Sequence, residues 1–183
     1  MRKTYLYIFI VGLLALVIFA SGCINQEGNQ TNQSTTGTYS INGLSFNYPI
    51  DWVLVDQTIG NTHFINLADQ SSVESNGTKG SSVAINSLPK TENITYESVK
   101  NDLTNSTGIE FNTTEETVDI AGLTANMTTF TGTDGSGNQT QVKIIYFEKD
   151  NFVYTLHLIV TGGADIQAQQ QYFNTIINSF QVP

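Results

Sequence analysis

Residues 152–160 form a strand that cannot face water on either side, and this constrains the chain more than any other segment. Phe152, Tyr154, Leu156, Leu158 and Val160 fall on one face, and Val153, Thr155, His157 and Ile159 on the other. A strand that is apolar on both faces has to be covered on both. Its neighbours are extended too. Residues 140–148 precede it across the tight Lys149-Asp150-Asn151 connection, and 123–131 and 109–120 precede those, turning at Ala121-Gly122. Upstream, 43–49 alternates apolar and polar residues and stops at Pro49, while 52–55, 62–67 and 82–88 read as further strands. The segment 68–80 reads as a polar loop with an Asn-Gly turn. The simplest architecture is α+β, one antiparallel sheet sandwiched between helical layers. Two helices are available for those layers. In 95–106, Tyr96, Val99 and Leu103 recur at helical spacing, with Glu97 in the first turn and Gly108 at the end. At the C-terminus Ile166, Phe173, Ile176, Ile177 and Phe180 make an apolar stripe behind Asp165 as N-cap.

The N-terminus reads as an address. Arg2 and Lys3 precede an apolar run over 6–20, interrupted by Tyr7 and Gly12. At about 1.5 Å per residue that run spans about 22 Å, short of a ~30 Å hydrocarbon layer, which favours a signal peptide over a permanent span. Ala20-Ser21-Gly22-Cys23 resembles the lipobox of exported lipoproteins, and Cys23 is the single cysteine of the chain. The expected organisation is a leader over 1–22 with lipidation at Cys23, a polar flexible tether over 23–38, and one folded domain over 39–183. The alternative is a single-pass anchor without lipidation. Either way the domain is expected on the outer face of the cytoplasmic membrane, held by a lipid or a helix. Loss of Arg2 and Lys3 with the leader would take the formal charge from −9 to −11. So acidic a chain lacks the basic face that nucleic acid requires, and one cysteine excludes a disulfide framework. Eight Asn-x-Ser/Thr sequons, at Asn29, Asn32, Asn76, Asn93, Asn105, Asn112, Asn126 and Asn138, make candidate glycosylation sites and fit an external compartment.

Three segments carry a family resemblance. Gly43-Leu44-Ser45-Phe46-Asn47-Tyr48-Pro49-Ile50-Asp51-Trp52 resembles the opening of PsbP-like domains, 118–125 is similar to their strand-turn-strand, and 172–180 is similar to their terminal helix. The resemblance implies a PsbP-like α/β/α sandwich with Trp52 buried, and no particular chemistry. Together with the lipobox and tether it is similar to archaeal envelope lipoproteins of the PsbP-related kind. The photosynthetic namesakes are extrinsic accessory subunits of a membrane complex, which implies an accessory role for this chain.

Candidate chemistry is sparse. Gly80-Ser81-Ser82-Val83-Ala84 is one residue short of a nucleophile elbow and precedes a strand instead of following one. Asp134, Ser136, Asn138 and Thr140 are spaced like a calcium loop, but the twelfth position is Ile145 where a bidentate Glu is needed, so a Gly-rich hairpin loop is expected. His63 and His157 each stand without an acidic or sulfur ligand at metal spacing, and His157 is expected in the core or facing a helix. Glu115, Glu116 and Asp119 form an acidic cluster read as a solvated turn, and Lys79, Lys90, Lys100, Lys143 and Lys149 read as solvent-facing. No Gly-rich phosphate loop opens a helix, so no nucleotide is expected. The sequence therefore predicts a non-catalytic accessory or binding module with a protein or envelope partner, no metal and no cofactor. The rivals are a solute- or metal-binding lipoprotein and an exported hydrolase. Polar residues converging in the deepest pocket, especially His63 or His157 beside carboxylates, would favour the rivals.

Overall fold

The structure, a computed structural model, describes residues 35–183. The leader, Cys23, Asn29, Asn32 and the tether as far as residue 34 lie outside the described residues. Nine strands run in chain order: β1 (Thr36–Ile41), β2 (Leu44–Pro49), β3 (Val53–Ile59), β4 (Thr62–Ala68), β5 (Gly80–Pro89), β6 (Phe111–Ile120), β7 (Leu123–Thr133), β8 (Gln139–Lys149) and β9 (Phe152–Thr161). Among the described residues three α-helices join them, α1 (Gln70–Glu74), α2 (Tyr96–Thr107) and α3 (Ile166–Ser179), with a 3-10 turn at Lys90–Glu92. Strands β3 to β9 form one antiparallel sheet in the order β3-β4-β5-β9-β8-β7-β6, while β1 and β2 make a separate hairpin. The meander from β6 to β9 is local, whereas the β5–β9 pairing joins distant parts of the chain and puts β9 at the centre.

Strand β9 is covered on both faces, as its pattern requires. Its Tyr154, Leu156, Leu158 and Val160 join Val83, Ile85, Ile145 and Phe147 in the main core beneath α3. That core is rich in ring contacts. Phe180 stacks on Phe46 at 5.9 Å and meets Phe147 edge-on at 6.2 Å, and Trp52, 6% exposed, lies 5.9 Å from Tyr172. Helix α3 starts where Asp165 accepts the backbone N–H groups of Gln167 and Ala168, the N-cap expected from sequence.

The layers are not purely helical. At 14 residues α3 is about 21 Å long, against a sheet of seven strands at about 4.8 Å spacing, or about 29 Å across. One helix cannot cover it, and the β1–β2 hairpin completes the layer. Ser179 Oγ accepts the backbone N–H of Asn47 at 2.8 Å, and Ser45 and Gln181 exchange backbone bonds at 3.0 and 2.8 Å. The hairpin also moves the start of folded structure to Thr36, inside the segment read as tether. Tyr39 explains it: its ring stacks on Phe46 at 5.0 Å, and pairing with β2 orders the polar residues around it. Likewise the loop at 68–80 holds α1, because Asp69 caps it through the N–H of Ser72 at 2.7 Å and accepts the N–H of Ser81 at 2.9 Å. On the opposite face α2 is the principal cover, and it leaves part of the sheet open.

Candidate functional site

Helix α2 is held toward one side of its face of the sheet. Thr95 and Ser98 form a capping box that starts it. Tyr96 shares a hydrogen bond with the Thr128 hydroxyl, and its ring lies 5.7 Å from that of Tyr146. Lys100 sits 4.6 Å over the Tyr96 ring, 2.8 Å from Glu97 and 2.6 Å from Glu115, and these two carboxylates hold its ammonium protonated well above the ordinary lysine range. Leu103 packs with Phe130, Val142 and Ile144 in a small second core. These contacts fix α2 over β6, β7 and β8. Beside it, above β4, β5 and β9, remains a cavity of about 390 Å³.

The floor of this cavity comes from the second face of β9 and its partner β5. His157 lies opposite Ala84 on β5 and Ile144 on β8, and Thr155 opposite Asn86 and Tyr146. Asn86 donates to the Thr155 hydroxyl at 3.0 Å. Ala84, with only a methyl group, leaves open space beside the imidazole. His157 is 6% exposed, and burial pushes its pKa down to about 4, so the ring is neutral at pH 7. Leu88, Ile94, Val99, Leu103, Phe111 and Ile159 supply apolar walls. Asp102 stands at the rim with its pKa raised by burial. Asp134 also lines the cavity, but its carboxylate is engaged by the N–H groups of Asn138 and Ser136 at 2.9 Å, which lower its pKa. That closed loop is the Gly-rich hairpin connection expected there.

The two histidines, alike in sequence, are on opposite faces. His63 lies under the β1–β2 hairpin, where Asp56 comes within 2.5 Å, Tyr39 lies 3.2 Å away, and the Tyr39 hydroxyl donates to Asp56 at 2.7 Å. The expectation that His63 has no acid nearby is corrected: β3–β4 pairing brings Asp56 across from seven residues upstream. The result is a lock on the hairpin, with burial and the Asp56 carboxylate pushing the Tyr39 pKa far up. No group of three or more potential metal ligands occurs among the described residues.

Other expectations are also revised. Lys100 is only 15% exposed, and Lys143 is half-buried, donating to Gln170 at 2.6 Å, with its pKa lowered by burial. Glu115, Glu116 and Asp119 are exposed as expected but lie along the edge strand β6 instead of in a turn, because pairing with β7 keeps this segment extended. Asn76, Asn93, Asn105, Asn112 and Asn126 are exposed, while Asn138 is half-buried with its amide 3.3 Å from Asp134. Nothing in the sequence marks Ala84 or Asn86 as the neighbours of His157 and Thr155. The available signal was a pair of polar residues, Thr155 and His157, on one face of an otherwise apolar strand.

Sheet, hairpin and cavity together define an α+β domain with one closed face and one face that encloses a ligand-sized space. Among solved structures, cyanobacterial PsbP (CyanoP) from Synechocystis sp. PCC 6803 resembles it with a TM-score of 0.53 at 16% identity, over 86% of this chain and 98% of that one. LpqN of Mycobacterium tuberculosis, described as involved in cell envelope biogenesis, gives a TM-score of 0.48 at 15% identity, over 82% and 91% of the two chains. A Bacteroides thetaiotaomicron protein gives 0.48 at 11% identity over 76% of this chain, which spans only 45% of that longer one. No curated protein matches the sequence. The family model described as PsbP-like protein matches residues 10–182, and the chain belongs to that family.

Proposed function

We propose that this chain is a non-catalytic, lipid-anchored binding module, accessory to the envelope or to a membrane complex on the outer face of the cytoplasmic membrane. The observation that carries this reading is the cavity beneath α2. Its floor sets an amide and a hydroxyl, groups that hold a molecule by hydrogen bonds, beside a neutral imidazole. A hydrolytic site would instead need a nucleophile, a base that takes its proton and donors for the developing charge. Ser81 is buried at the start of β5 and His63 is engaged with Asp56 on the other face, so neither serves the space that His157 lines. The convergence of Asn86, Thr155 and His157 favours a solute-binding form of the module over a purely structural one. Anchoring rests on Cys23 and the apolar run before it, and surface sequons on the folded part suit an external position.

The test is fractionation of the full chain. Wild type should sediment with membranes as a shortened, lipid-modified form, and Cys23→Ser should accumulate as an unprocessed precursor. Equal masses with an uncleaved N-terminus in both would establish the plain helix anchor. Wild type captured gently from native membranes should bring specific partners and be inert toward ester, peptide, phosphate and glycoside substrates. Turnover lost on changing His157 would overturn the non-catalytic reading.

A further inference from the structure

The chemistry of the cavity under α2 specifies what it can hold. Its volume of about 390 Å³ lies within the range of about 300–1,000 Å³ typical of small-molecule sites. Apolar side chains from α2 and from β5, β8 and β9 make most of its wall. Among the described residues, no Lys or Arg lines it. An anion entering this space would lose its hydration with no cation to meet it. A cation would find Asp102 at the rim, where burial already disfavours the carboxylate, and Asp134, whose oxygens are engaged by its own loop. Charged ligands are therefore disfavoured in both signs.

A wholly apolar ligand is a poor match as well. The floor places Asn86, Thr155 and His157 side by side on the two central strands, positions where Leu or Val would satisfy the fold. An Asn that gives one N–H to Thr155 keeps a second N–H and its carbonyl oxygen for another partner. The neutral His157 ring stands next to them on β9. Ala84 leaves room for a ligand to reach them.

We propose that the cavity binds one neutral, mostly apolar molecule, with its carbon skeleton between α2 and the sheet and one uncharged hydroxyl, ester or amide group seated against Asn86. This rests on the binding-module reading and adds the ligand class. A ligand of this kind partitions into membranes, where an anchored domain would encounter it.

The test uses the full chain in phosphatidylcholine nanodiscs and a neutral long-chain alcohol carrying a diazirine. After irradiation and digestion, adducts should concentrate on peptides bearing α2, β5 and β9, and an excess of the plain alcohol should remove them. The matching carboxylate probe should label these peptides at least about tenfold less, because its charge would be buried unpaired. Two variants fill the space from opposite sides, Ala84→Leu from the sheet and Val99→Phe from the helix. Each should abolish competable labelling while keeping its circular dichroism spectrum, and if one fails to fold the other decides. Labelling confined to 6–20, equal labelling by the carboxylate probe, or undiminished labelling in a folded filled variant overturns the proposal. A chain that is membrane-anchored yet unlabelled in the cavity refutes the ligand and leaves the anchored-module reading intact.

Discussion

Burial of a neutral histidine makes stability depend on pH in a window set by one residue. His157 holds its pKa near 4 in the folded state, against 6.5 for an unburied imidazole. Above 6.5 the ring is neutral in both states and contributes no pH dependence. Between 6.5 and 4 the unfolded chain takes a proton that the folded one refuses, so stability falls as pH falls. At about 1.4 kcal/mol per pH unit of separation, the full loss is about 3 kcal/mol. The physical cause is desolvation: the ring sits on the sheet floor beside α2, and an imidazolium there would give up water. Other groups titrate over the same range, so the measurement is a difference. Wild type and His157→Gln, which keeps an uncharged hydrogen-bonding side chain of similar reach, are unfolded in urea at pH 7.5 and 4.5. The single tryptophan, Trp52, is buried and reports the transition by fluorescence. Wild type should lose about 2–3 kcal/mol more than the variant on acidification, a difference of roughly 1–2 M in urea midpoint for a small domain. Parallel losses in the two proteins would refute the assignment of a buried neutral imidazole.

Two further perturbations probe the scaffold. Trp52→Ala removes a buried ring packed on Tyr172, and should cost about 3–5 kcal/mol by thermal or urea unfolding followed by circular dichroism; a loss under about 1 kcal/mol would contradict its core position. Gly162 has φ +64°, and a Cβ there would lie 2.4 Å from the Thr78 carbonyl oxygen, whereas Gly122, at φ +72°, has open space around it. Gly162→Ala should therefore cost clearly more than the roughly 1–2 kcal/mol of left-handed strain expected for Gly122→Ala, and equal midpoints would refute the close approach.

Much of the fold was legible because its signals are local. Alternation in 152–160 identified the central strand, and the turn at Lys149-Asp150-Asn151 joined it to β8. The stripe from Ile166 to Phe180 marked α3, with Asp165 at its cap. Two elements carry only weak local signals. β1 carries one buried side chain, Tyr39, in a polar run, and α1 depends on a single capping carboxylate, so neither has a periodicity to detect. The second layer was expected to be helical because a stripe reveals a helix but says nothing of the area it must cover.

The sequence by itself determined that β9 is enclosed, that a helix packs on one face, and that Thr155 and His157 share the other. Only the tertiary structure decided what stands beside them. Period-two alternation assigns a side chain to a face but cannot name its cross-strand neighbour. The β5–β9 register, set by packing across the whole sheet, brings Ala84 to His157 and Asn86 to Thr155. The placement of α2 to one side, through Tyr96, Lys100 and Leu103, then leaves those residues beneath an open space instead of a packed core.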